Sequence, residues 1–183
     1  MMAAATISLL SMRGARPALV RSSLLRAVHT EAKIAELGLT LPPMPKALGV
    51  YVPAVRSGNY IFTAGHIYFT DPTDATTLKK GKVGVDYTTA EAADIAKGIA
   101  LELIATLKNE VGDLDKIKRI VKVVGFVNAP DTFEEQPEVL NGCSKLLGAV
   151  FGERGVHARS AVGTNSLPRN VPVEIELIAE VED

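Results

Sequence analysis

Apolar residues recur along this chain in two rhythms. Between Thr88 and Gly112, Ala92, Ile95, Ile99, Leu103 and Leu107 fall three or four residues apart, and Ala96 and Ala100 widen the stripe. That period predicts a helix with one buried face. Thr88, followed three residues later by Glu91, has the form of a capping box, and Gly112 marks the end. A second stripe, Val139, Leu140, Cys143, Leu146, Leu147 and Val150, predicts another helix. Pro137 suits its first position, and Gly152 and Gly155 close it. "TEAKIAELG" predicts a short helix with Thr30 as N-cap and Gly38 just past its end. Pro42, Pro43 and Pro45 forbid its continuation.

The other rhythm has period two. "YVPAVRSGNYIFTAGHIYF" predicts two strands around a turn at Ser57-Gly58-Asn59. Tyr60, Phe62 and Ala64 fall on one face; Ile61, Thr63 and Gly65 fall on the other. A short strand is expected around Val83–Val85. In "IKRIVKVVGFVNA", Ile120, Val124 and Phe126 share a face with Lys122, while Val121, Val123 and Val127 share the opposite one. Both faces are mostly apolar, which predicts a central strand covered on both sides. Ala158–Thr164 and Val171–Val181 complete the set. The order β-β-(β)-α-β-α-β-β predicts an α+β domain, a mixed sheet with both long helices on one face. No third long helix is available for the other face, so a subunit interface is its economical cover.

Composition narrows the function classes. The 183 residues are 47% hydrophobic, enough for one domain with a real core. No apolar run is long enough to cross a membrane. Residues 1–29 carry Arg13, Arg16, Arg21 and Arg26 and no acid. With its alanines, serines and leucines, this leader is expected to be a mitochondrial transit peptide, cut near Ala27–Thr30. The domain then spans 30–183, and the matrix is the expected compartment. Without the four leader arginines, 16 of the 20 basic residues face 21 acidic ones, a net charge of −5. That charge, with no tryptophan, disfavours nucleic acid as a partner. One cysteine excludes an internal disulfide, and the scattered histidines have no metal-ligand spacing. No metal or cofactor is therefore expected.

Two charges stand out against this background. Arg159 lies inside the short strand "VHARSAVG", and Glu174 and Glu176 alternate with apolar residues in "VPVEIELIAEV". From the residues alone, Arg159 is either a ligand-binding group or a structural ion-pair partner of Glu174 or Glu176. His66, His157 and Tyr51 each admit a site role and a packing role, and Cys143 reads as core.

"ARSAV…LPRNVPVEIELIAEV", together with "YVPAVRSGNYIFTAGHI", resembles the Rid family, the reactive intermediate deaminases, also called the YjgF or L-PSP endoribonuclease family. The resemblance covers roughly residues 45–183. It implies a chorismate-mutase-like fold, a homotrimer with clefts between subunits, and hydrolysis of 2-imino or 2-enamino acids to 2-oxo acids and ammonia. By the same resemblance, Arg159 clasps the substrate carboxylate, and Glu174 handles the water or the imine proton. Tyr51, Gly65 and Asn141 fall on substrate-binding positions. The chain departs from the family pattern at Ala161, where cysteine is common, and at His66, where glutamine is usual. Pro53 and "FEEQPEVLNG" differ as well. These departures place it in a divergent subgroup. They keep open a second reading, a trimer that binds 2-oxo acids without turnover. The endoribonuclease or translation-inhibitor activity named for the family is a third.

Overall fold

The computed structural model describes residues 29–44, 49–71 and 73–182. The expected transit peptide therefore lies outside the described residues, apart from His29. The elements run α1 (Thr30–Glu36), β1 (Ala54–Ser57), β2 (Tyr60–Thr63), β3 (His66–Ile67), α2 (Thr89–Val111), β4 (Ile117–Asn128), α3 (Gln136–Phe151), β5 (Ala158–Thr164) and β6 (Val173–Val181). One sheet has the order β1-β2-β6-β4-β5, and β3 also pairs with β6. All neighbours are antiparallel except β4 and β5, which run parallel.

Local signals set the helix boundaries. The Thr88 hydroxyl and the Glu91 carboxylate cap α2 reciprocally, as the capping-box pattern predicts. Thr30 behaves differently from the expected N-cap. It is the first helical residue, and its amide and hydroxyl both donate to Asp115 Oδ1, at 2.9 and 2.6 Å. Arg154 joins this group by donating to Thr30 Oγ1 at 2.8 Å and to the Ile117 carbonyl at 2.6 Å. Thr30 therefore ties α1 to the entry of β4, a long-range role that no local pattern encodes. Val83 makes only an isolated bridge to Tyr87, so the expected strand there is a turn.

Helices α2 and α3 pack on one face of the sheet. Ile99, Leu103 and Leu107 meet Val123, Ile175 and Leu177 in a single buried cluster. At Gly142 a Cβ would stand 1.9 Å from the Ala93 carbonyl oxygen. Only glycine allows α3 that close to α2, and this approach fixes the height of the α3 side chains above the sheet.

One sequence expectation changes here. The β4–β6 register slips between Ile120 and Lys122, a β-bulge that moves Ile120 onto the helix-covered face beside Val123. Lys122, Val124 and Phe126 stay on the other face. Moreover, β5 and β6 are consecutive in sequence but not neighbours, because β4 lies between them. The uncovered face of the sheet carries Val55, Phe62 and Val162, which are 55%, 45% and 44% exposed. Apolar side chains this open across a continuous sheet face suit burial against another surface.

Candidate functional site

Sheet register decides where each candidate residue points. Arg159 aligns with Val123, which is fully buried under the helices, so Arg159 projects to the helix side at the edge of the sheet. Its Nη1 donates to Asn141 Oδ1 and to Ser144 Oγ, each at 3.0 Å. Its Nη2 donates to the Pro137 carbonyl at 3.2 Å. All three acceptors are neutral and belong to α3. No carboxylate of the described residues lies within ion-pair distance of Arg159. Within one copy, therefore, neither Glu174 nor Glu176 is its ion-pair partner.

A guanidinium has five N–H donors. Three hydrogen bonds leave two for a ligand, in the flat geometry that suits a carboxylate. Asn141 also borders a groove of about 410 Å³ between α2 and α3, but Arg159 does not line it.

Glu174 points the other way. It aligns with Phe126 on the open face and is half-buried. Burial and, secondarily, the neighbouring Glu176 push its carboxyl above the ordinary carboxylate range. Gly65 lies against it: a Cβ there would stand 1.9 Å from Glu174 Oε1. Tyr51 is exposed and precedes β1; two residues on, the Pro53 carbonyl accepts from the Ala64 amide at 2.8 Å. The structure therefore forms two clusters. Arg159 and Asn141 make one on the helix side, and Gly65 and Glu174 make the other on the open face.

His66 is neither exposed nor catalytic in form. It is buried, its Nδ1 hydrogen donates to the Ala64 carbonyl at 2.8 Å, and its Nε2 accepts from Thr106 Oγ1 at 2.8 Å. Burial holds its pKa below the usual histidine value. It joins β3 to α2. Ala161 sits on the Arg159 face, packed against the core. Cys143 is buried in the same region. Burial pushes its thiol up to about 12, and the positive charge of Arg159 opposes this in part.

The family model described as "YjgF/chorismate_mutase-like, putative endoribonuclease" matches residues 31–181. The chain belongs to this YjgF/chorismate mutase-like family. A curated relative, Protein TCP17 of Trypanosoma cruzi, is 35% identical over 162 residues, covering 88% of this chain and 99% of its own. The crystal structure of Atu1372, a protein of unknown function from Agrobacterium tumefaciens, superposes with a TM-score of 0.75 at 39% identity, covering 84% of this chain and 94% of that one. A structure from Shewanella oneidensis MR-1, described as a putative endoribonuclease, gives 0.77 at 33% identity, covering 83% and 99%. The YjgF-like fold assignment made from the sequence is thus shown, with the expected short helix α1 present beside the two long ones.

Sequence reading passed over one residue of the Arg159 cluster. Ser144, three positions after Asn141, shares its helix face and holds the same guanidinium nitrogen. The i, i+3 spacing from Asn141 was the available signal.

Proposed function

We propose that this YjgF-family member hydrolyses 2-imino or 2-enamino acids to 2-oxo acids and ammonia, in a crevice that two neighbouring copies of the chain complete. The observation that carries this reading is the state of Arg159: three neutral acceptors hold it, no acid among the described residues of its own copy neutralises it, and two donors remain. An unpaired, half-buried cation of this kind suits a small carboxylate ligand.

The substrate carboxylate takes the free edge of Arg159, which orients the imine carbon. Glu174 of the neighbouring copy faces that carbon from the far wall of the crevice. Its raised pKa suits a carboxyl that passes a proton to the imine nitrogen. The open apolar sheet face, with Phe62 and Val55, supports a homotrimer that buries it and brings the two clusters together. The acid-poor leader supports delivery to the mitochondrial matrix.

Ammonia release from an imine generated in situ tests the reading. Wild type releases ammonia faster than the uncatalysed rate, and Arg159→Ala returns it to that rate. Equal rates for the two proteins contradict it. Ala161 favours a second reading, because this face lacks the cysteine thiol usual in the family: the trimer binds 2-oxo acids without turnover. Calorimetric binding of 2-oxobutyrate with no ammonia release selects that alternative.

A further inference from the structure

A histidine and a serine stand beside Arg159. His157 precedes the guanidinium by two residues, and its Nδ1 lies 2.6 Å from the Gly155 carbonyl. A carbonyl oxygen only accepts, so the ring proton is on Nδ1 and Nε2 carries the lone pair. That Nε2 lies 3.0 Å from Ser144 Oγ. The Ser144 hydroxyl therefore donates to His157 while accepting from Arg159 Nη1 at 3.0 Å. A base is thus linked to a hydroxyl and oriented by a third group, the arrangement that activates an oxygen for proton transfer. All three side chains are partly open to solvent. Burial, and then the positive charge of Arg159, hold His157 below its ordinary pKa, so it is neutral and able to accept a proton at pH 7. Arg159, at the start of β5, is the charged group beside the ring; α3 supplies Ser144, and the turn before β5 supplies the Gly155 carbonyl.

We propose that Ser144 and His157 form the proton relay on the Arg159 side of the crevice, Ser144 touching the reacting water and His157 acting through it. This rests on the deaminase reading above. The water oxygen bonds to the imine carbon as the C=N π pair moves to nitrogen, which takes a proton from Glu174 of the neighbouring copy. The water proton passes to Ser144 Oγ while the Ser144 proton passes to His157 Nε2. The carbinolamine then collapses. The C–N bond breaks, nitrogen takes the relay proton back through Ser144 and leaves as ammonia, and the hydroxyl proton returns to Glu174. Imine and water give a 2-oxo acid and ammonia, with both protein groups restored.

The decisive variant is His157→Gln, whose amide oxygen still accepts from Ser144 but is not a base. With the imine generated in situ, kcat falls about 100-fold in His157→Gln and Ser144→Ala, while 2-oxobutyrate binding to His157→Gln stays within about twofold by calorimetry. Ser144→Thr, which keeps the hydroxyl, retains most of the rate. Wild-type kcat has an acidic limb below pH 6.5, the ordinary histidine value, and His157→Gln loses that limb. If wild type turns over and His157→Gln matches it in rate and pH profile, the relay is overturned and the deaminase reading stands. If wild type releases no ammonia, both fall.

Discussion

Arg159 and Glu174 lie on opposite faces of one sheet. Arg159 aligns with buried Val123 under the helices, and Glu174 aligns with Phe126 on the uncovered side. Strand β4 separates them. A single copy cannot present both groups to one small substrate. The functional account therefore rests on a crevice with one wall from each of two copies.

Gly65 tests how closely Glu174 must be placed. In Gly65→Ala the new Cβ would fall 1.9 Å from Glu174 Oε1, so the flexible carboxylate swings away. Because only a side-chain end must move, the expected stability change is under about 1 kcal/mol. The expected kcat loss is at least about tenfold, with 2-oxobutyrate affinity little changed, because Arg159 is untouched. Steady-state kinetics beside calorimetry separates the two effects.

The open face makes its own prediction. A carboxylate at Phe62, which is 45% exposed in one copy, is tolerated by the monomer but costs several kcal/mol if an interface covers it. If the proposed trimer uses this face, Phe62→Asp dissociates it in sedimentation and abolishes the proposed turnover together with it. An unchanged sedimentation coefficient contradicts the interface.

Glu102 links stability to pH. It is 2% exposed, its Oε1 accepts from the Phe69 amide at 3.3 Å, and its Oε2 has no partner among the described residues. Burial raises its pKa from 4.5 to about 8. A raised carboxyl pKa means that the folded state binds the proton more tightly than the unfolded chain. Its stabilising effect is full below pH 4.5 and is lost progressively as the pH rises toward 8. Glu102→Gln removes this dependence. Relative to wild type it is expected to gain on the order of 3 kcal/mol between pH 5 and pH 8, read by denaturant unfolding.

Cys143 is expected to resist iodoacetamide in the folded protein at pH 8.5 and to react fully in denaturant. Its thiol is buried and its pKa is pushed up to about 12. Rapid native alkylation, read by intact mass, contradicts the packing of α3.

Much of this fold was legible because its signals are local. The α2 stripe and the Thr88–Glu91 capping box depend on residues within a turn of each other, and both form as expected. The faces of β4 were misread at Ile120 because one bulged residue shifts the alternation, and nothing in the alternation marks it. Thr30 was expected to cap its own helix but binds Asp115, 85 positions away. At the site, Arg159 and Glu174 stood out as charges within apolar strands. The barrier between them did not, because it depends on β4 entering between two consecutive strands. Ser144 carried only its i, i+3 spacing from Asn141 as a signal; its meaning comes from the arginine and histidine that the fold brings to it.

Mixing two inactive variants tests the shared crevice most directly. Arg159→Ala and Glu174→Gln each remove one wall's group and are expected to be inactive as pure trimers. Unfolded together and refolded, they form hybrids in which some crevices hold both native residues. The account predicts that ammonia release returns in the mixture to a substantial fraction of the wild-type rate. A mixture as inactive as its two components, with hybrid trimers verified by native mass spectrometry, contradicts it.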